Sequence, residues 1–275
     1  MVMEVVFWGC LGLIAYTYFL YPGLVMVLAG LFPRKPEAND QAQPHVSMVI
    51  PAFNEAQVLE EKIRNCLEID YPEDKLAFYF GSDGSGDGTN QILEKRHHSR
   101  IKVFIFPSRR GKTRVLNDLV KEARGEVIVF SDANTMYAPD AVQNLVRYFH
   151  NQEVGGVCGR LCLIDPHGQP SGAGEGMYWQ YENLIKKAEG ALRSVISANG
   201  AIFAVLKRLF DPLAVDKPLN DDLMITLKIL KKGKRVVYEP EAEAREHTSS
   251  AMEGEFARKI RISSLNFNAL GPLLE

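Results

Sequence analysis

From position 46 onward, short apolar runs alternate with stretches whose apolar residues recur every three or four positions. Val46 to Ile50 is a β-branched run that predicts a strand; Leu59, Ile63, Cys66 and Leu67 then recur at helical spacing. Leu76 to Phe80 predicts a second strand, followed by turn residues and a helix carrying Ile92 and Leu93. Ile101 to Phe106 is a third strand, and Leu116, Leu119, Val120 and Ala123 mark the next helix face. Val127 to Phe130 is a fourth strand. Pro139 suits a helix's first turn, ahead of Val142, Leu145, Val146 and Phe149. Strands alternating with helices predict an α/β fold, with a mostly parallel sheet and helices on both faces. Such sheets bind ligands beyond the carboxyl ends of their strands, so the chemistry is sought there.

The N-terminus follows another pattern. Val5 to Phe32 is almost wholly apolar and uncharged. A helix of that length exceeds the roughly 30 Å hydrocarbon core of a bilayer and spans it with some tilt. Pro22 and Gly23 are expected to kink it, a fault that membranes tolerate. A cleaved signal peptide would carry a positive start and a shorter apolar core. Here only Glu4 precedes the run, while Arg34 and Lys35 follow it. That bias predicts a single N-terminal span with the remainder in the cytoplasm, at the inner or plasma membrane of the cell. No polar face supports an interfacial helix instead. The expected organisation is an anchor over 1–33, a polar linker over 34–45, a catalytic domain over 46–250 and an amphipathic membrane-proximal segment over 251–275.

Composition narrows the picture. Charged residues make up 24% of the 275, with a net charge of -2, which argues against a nucleic-acid binder. The four cysteines, Cys10, Cys66, Cys158 and Cys162, form no CxxC pair and have no zinc-spaced partners. Free thiols are the expectation.

The predicted strand ends are rich in acids. The first leads into Pro51-Ala52-Phe53-Asn54-Glu55, the second into Ser82-Asp83-Gly84-Ser85-Gly86-Asp87-Gly88-Thr89. The fourth leads into Ser131-Asp132-Ala133-Asn134-Thr135, and Asn220-Asp221-Asp222 comes later. This differs from a phosphate cradle of Lys and Gly: neither GxxxxGK[ST] nor GxGxxG is present. Converging carboxylates suit a divalent cation that in turn holds phosphates. A nucleotidyltransferase would want a basic, Gly-rich loop after the first strand, where this chain has PAFNE.

In their order and spacing, VSMVIPAFNE, SDGSGDGT, FSDANT, NDD and EFARKIRI resemble the family-2 glycosyltransferases, inverting enzymes of the GT-A type that include membrane-bound polysaccharide synthases. The resemblance runs from about Val46 to Ile262. It implies a GT-A-like sheet behind the anchor and transfer of a hexosyl or N-acetylhexosaminyl group from a nucleotide sugar, a UDP-sugar by expectation, to a polysaccharide or lipid-linked acceptor. By the same resemblance Pro51, Ala52, Phe53 and Glu55 line the nucleoside pocket, with Phe53 against the base and Glu55 on the ribose. Asp83 reads the base, Lys112 lies near the diphosphate, and Arg261 pairs with it. Asp132 and Asn134 stand in the DxD place and would hold Mg²⁺ or Mn²⁺, Asn134 replacing the second carboxylate. Asp222 is the expected catalytic base. Adjacent helical residues point about 100° apart, so only one of Asp221 and Asp222 can face the acceptor.

Bland readings stand beside these. Asn54 and Asn220 could be N-caps, Asp87 and Thr89 could cap the next helix, and Arg109 and Arg110 could form a solvated basic turn. Arg258 and Ile262 stand where the family's synthases carry Gln and Trp of QxxRW, which weakens the case for processive polymerisation. The expected partners are a nucleotide sugar, a glycan or lipid acceptor, the membrane and further membrane subunits. A non-catalytic sugar-nucleotide-binding scaffold of a synthase complex is the rival from another class.

Overall fold

The computed structural model describes residues 2–164, 173–215, 220–247, 260 and 263–265, with the side chains of 173–179 left aside. Within these residues eight strands form one sheet, in the order β3-β2-β1-β4-β7-β6-β8-β5. The strands are β1 (Val46–Ala52), β2 (Leu76–Asp83), β3 (Ile101–Phe106), β4 (Val127–Phe130), β5 (Thr135–Tyr137), β6 (Val154–Ile164), β7 (Phe203–Leu206) and β8 (Arg235–His247). The helices of the domain are α3 (Ala56–Leu67), α4 (Thr89–Glu94), α5 (Lys112–Glu122), α6 (Ala141–Val146), α7 (Ala173–Leu192) and α8 (Asp221–Lys231). They follow two N-terminal helices, α1 (Val2–Ala15) and α2 (Tyr21–Leu31).

The first four strands pair in parallel, as the alternation predicts. Val46 to Ile50 is buried residue after residue, because helices cover both faces of this half. The second half is mixed. β7 runs antiparallel to β4 and β6, β5 runs antiparallel to β8, and β6 and β8 are parallel. This reversal shapes the site. Phe203 opens β7 opposite Phe130, the last residue of β4, so the loop entering β7 lies at the edge where β4 ends. One continuous hydrophobic core runs under both halves, from Met48 and Phe78 to Val157, Phe203 and Ile229.

The segment Val2–Leu31 is long and apolar enough to cross a membrane. Its irregularity falls one turn before the expected kink, as a π-helical turn over Tyr16–Leu20. Pro22 has no N–H for the Tyr18 carbonyl, four residues earlier. The Tyr181 hydroxyl of α7 donates to that carbonyl instead. One turn on, the Tyr21 hydroxyl donates to Glu189 of α7 at 2.5 Å. Two polar contacts thus clamp the apolar helix to the domain. Tyr181→Phe is expected to cost about 1 kcal/mol of stability, the worth of one hydrogen bond. Thermal unfolding in detergent checks this, and a wild-type midpoint would refute it.

The thiols are unpaired: Cys66 and Cys158 are buried, Cys162 is half-buried, and Cys10 is exposed on α1.

Candidate active site

The ends of β1, β2 and β4 and the start of α8 gather around one edge of the sheet. At the β2 end Asp83 is buried. Its two carboxylate oxygens accept the backbone N–H groups of Arg110 and Gly111 at 2.7 and 2.8 Å. The carboxylate therefore moulds the loop between β3 and α5, and each oxygen keeps a further lone pair. Gly84 lets this loop approach. Its φ is +68°, and a Cβ there would lie 2.4 Å from the Arg109 nitrogen.

Pro51 and Ala52 close β1, and Phe53 follows half-buried. The Arg109 guanidinium lies 4.0 Å from the centre of the Phe53 ring. Arg110 stacks over Phe106 at 3.8 Å and pairs with Asp118 at 2.5 Å. Arg110 is half-buried against its ring, while Arg109 lies over Phe53 and stays exposed, as in a solvated basic turn. Asn54 has φ +57° and is not the cap of α3, a position taken by Glu55. The Asn54 side chain instead accepts from Gly86 N–H at 3.0 Å, tying the β1 end to the glycine-rich loop. Asp87 accepts from Ala56 N–H at 3.0 Å and from Thr89 N–H at 3.1 Å, so it serves the first turns of α3 and α4 together. Burial pushes the Glu55 carboxyl above its usual range, and the nearby Asp132, Asp87 and Glu246 push it further.

The centre of the edge is a charge network. Lys112, the first residue of α5, reaches Asp132 at 2.8 Å and Asp221 at 3.3 Å. Partial loss of water opposes the ammonium charge of this exposed side chain, yet Asp132, Asp221 and Asp222 together hold its pKa above the usual lysine range. Asp222 lies on the neighbouring face of α8. Its oxygens accept Gly200 N–H at 3.0 Å and Leu223 N–H at 2.6 Å. Gly200 belongs to the loop entering β7, and a Cβ there would lie 3.1 Å from the Asp222 carboxylate. Burial pushes the Asp222 pKa up to about 7, with Asp221 adding to it while Lys112 and the two N–H groups oppose the rise. The adjacent acids thus diverge: Asp221 faces the cation and Asp222 faces the β7 loop. Asn220 sits at the N-cap of α8 but makes no side-chain capping bond.

The Asn134 amide donates to Glu246 at 3.1 Å, since β5 pairs Thr135 with Glu246 of β8. Its carbonyl oxygen and the Asp132 carboxylate are hard donors of the kind that Mg²⁺ or Mn²⁺ takes. Among the described residues no three His, Cys, Asp or Glu side chains form a ready cage. That fits an ion held by one or two protein ligands together with substrate phosphates. Arg261, with Arg258 and Ile262, lies outside the described residues.

Sequence reasoning missed Gly200 as a partner of Asp222, the stacking of Arg109 on Phe53, and buried Lys62 of α3. Lys62 left a signal, because a charge at that position falls within the apolar stripe of Leu59, Ile63 and Cys66.

A family model described as Glycosyl transferase family 2 matches residues 47–210. The poly-beta-1,6-N-acetyl-D-glucosamine synthase of Staphylococcus aureus (strain COL) is 23% identical over 235 residues, covering 83% of this chain and 56% of that protein. The chain thus spans about half the length of the curated relatives it matches. Among solved structures, the mannosyltransferase PcManGT from Pyrobaculum calidifontis, in complex with GDP-Man and Mn²⁺, has a TM-score of 0.76 and 26% identity, covering 91% of this chain and 71% of that one. GalNAc-T7 with UDP, GalNAc and Mn²⁺ has a TM-score of 0.59 at 17% identity, covering 81% of this chain and 49% of that one, a likeness of fold alone.

Proposed function

Because the chain belongs to glycosyl transferase family 2, we propose that it is an inverting glycosyltransferase. It moves a sugar from a nucleotide sugar, a UDP-sugar in our reading, to a glycan or lipid-linked acceptor at the cytoplasmic face of a membrane. The observation that carries this is the convergence of Lys112, Asp132, Asp221 and Asp222, with the Asp222 pKa raised to about 7.

In this reading Asp222 takes the proton from the acceptor hydroxyl. The oxygen so freed forms a bond to the anomeric carbon as the bond from that carbon to the phosphate oxygen breaks. The nucleoside diphosphate leaves, and inversion follows from attack on the opposite face. Lys112 lies where it can exchange Asp132 for a phosphate oxygen, and Arg261 is assigned to the same diphosphate. Asp132 and Asn134 would hold Mg²⁺ or Mn²⁺, which would neutralise charge on the departing diphosphate. PcManGT, solved in complex with GDP-Man and Mn²⁺, supports a divalent ion. Phe53 and Asp83 read the base, Glu55 the ribose, and Pro51 and Ala52 shape the pocket wall. The synthase relative supports a glycan acceptor. The apolar segment Val2–Leu31 supports a membrane anchor.

The test is nucleotide release by the purified protein in detergent from a panel of UDP- and GDP-sugars, with and without Mg²⁺ or Mn²⁺. Metal-dependent release from one UDP-sugar in the presence of a glycan or lipid acceptor is the expected result. Silence across the panel with nucleotide still binding would favour the scaffold reading.

A further inference from the structure

Lys62 is 0% exposed, a cation in the heart of the domain. It projects from α3 toward the turn between β4 and β5. Its ammonium donates to the Ser131 hydroxyl at 2.8 Å and to the Thr135 carbonyl, and lies 4.7 Å from the centre of the Tyr137 ring. These partners are a hydroxyl, a carbonyl and a ring face, all neutral. A buried cation on neutral partners is costly, and a hydrophobic residue on the same stripe would pack without that cost. The position calls for an explanation beyond packing.

Its contacts supply one. Ser131 and Thr135 are the two ends of the turn that carries Asp132 and Asn134, and Lys62 is bonded to both. The Ser131 hydroxyl in turn donates to the Asp132 carbonyl at 3.2 Å. The Thr135 hydroxyl is buried with no hydrogen-bond partner, so its own side chain does not hold the far end of the turn. The Lys62 ammonium does so through the carbonyl.

We propose that Lys62 is a positioning residue for Asp132, fixing from beneath the turn whose carboxylate and amide would ligate the divalent cation. The inference rests on the nucleotide-sugar reading above. Lys62 touches neither substrate nor ion; it sets the direction of the ligand, as groups behind a metal ligand do.

The experiment is calorimetric titration of the full chain in detergent with UDP and, separately, GDP, with and without Mn²⁺, alongside thermal unfolding. Wild type, Lys62→Met and Lys62→Gln are compared. Mn²⁺ is expected to strengthen nucleotide binding by the wild type. Lys62→Met should lose about 10-fold or more of that enhancement, the usual effect of removing a group that orients a metal ligand. Its metal-free nucleotide affinity should stay at the wild-type level, a split that a general loosening of the fold does not produce. Lys62→Gln, which can still donate to one of the two oxygens, should recover part of the enhancement. A folded Lys62→Met protein with the full Mn²⁺ enhancement overturns the proposal. Where Lys62→Met does not fold, Ser131→Ala decides: it removes one of the two bonds and should lose part of the enhancement, and an unchanged enhancement overturns the proposal. Absence of any Mn²⁺ effect in the wild type would instead strike the nucleotide-sugar reading, and this inference with it.

Discussion

Asp222→Asn is expected to lower turnover by about 100- to 10,000-fold, the range lost with a general base. The amide keeps the shape of the side chain and can still accept one of the two backbone N–H bonds from Gly200 and Leu223. The loss of the other costs about 1 kcal/mol, so the fold should survive and the rate should not. In the proposed reading the same group also sets the pH dependence. A carboxyl raised to about 7 holds its proton at lower pH and cannot take another from the acceptor. Wild-type kcat/KM should therefore climb with pH through this region and level off above it, because kcat/KM reports the free enzyme. The residual activity of Asp222→Asn should lack that limb. Sugar transfer by Asp222→Asn at the wild-type rate would remove the base from Asp222 and reopen the scaffold reading.

Asp132→Ala should cost about 100-fold or more, since a metal-centred charge clamp supplies several kcal/mol in the transition state. In the proposed reading Asp132 would lead a sparse ligand set, with Asn134 adding an uncharged oxygen, so its removal should flatten the Mn²⁺ titration as well as the rate. Stability should change by about 1 kcal/mol or less, because the Lys112–Asp132 pair is 41% and 35% exposed and solvent screens it. Nucleotide release measured against Mn²⁺ concentration separates the two effects. A variant with an unaltered metal response would place the ion elsewhere.

The parallel half of the sheet was legible because its signals are local. Val46 to Ile50 and Val127 to Phe130 are short β-branched or aromatic runs, and α3 and α5 show their apolar stripes directly. The acidic strand ends were legible too, since parallel strands deliver them to one edge. The second half was not. β5 has three residues, too short to carry a period; β7 has a single β-branched residue, Val205; and the glycines of β6 and the charges of β8 blur the alternation.

The amino-acid sequence by itself determined the apolar N-terminal helix, the alternating α/β plan, and the residues offered at the strand ends. Those features depend on which side chains follow one another along the chain. Only the tertiary structure decided what each offered residue touches. Asp221 and Asp222 are neighbours with the same chemistry, yet one faces Lys112 and the other the Gly200 N–H. The antiparallel entry of β7 brings Gly200 to that edge, and burial there raises the Asp222 pKa. Asp83 likewise reads as a ligand-edge acid in the sequence, but the fold also makes it the anchor of the Arg110–Gly111 backbone. Burial and charge pairing depend on distances between segments remote in sequence. Local periodicity, which reports only the face a residue presents, does not contain those distances.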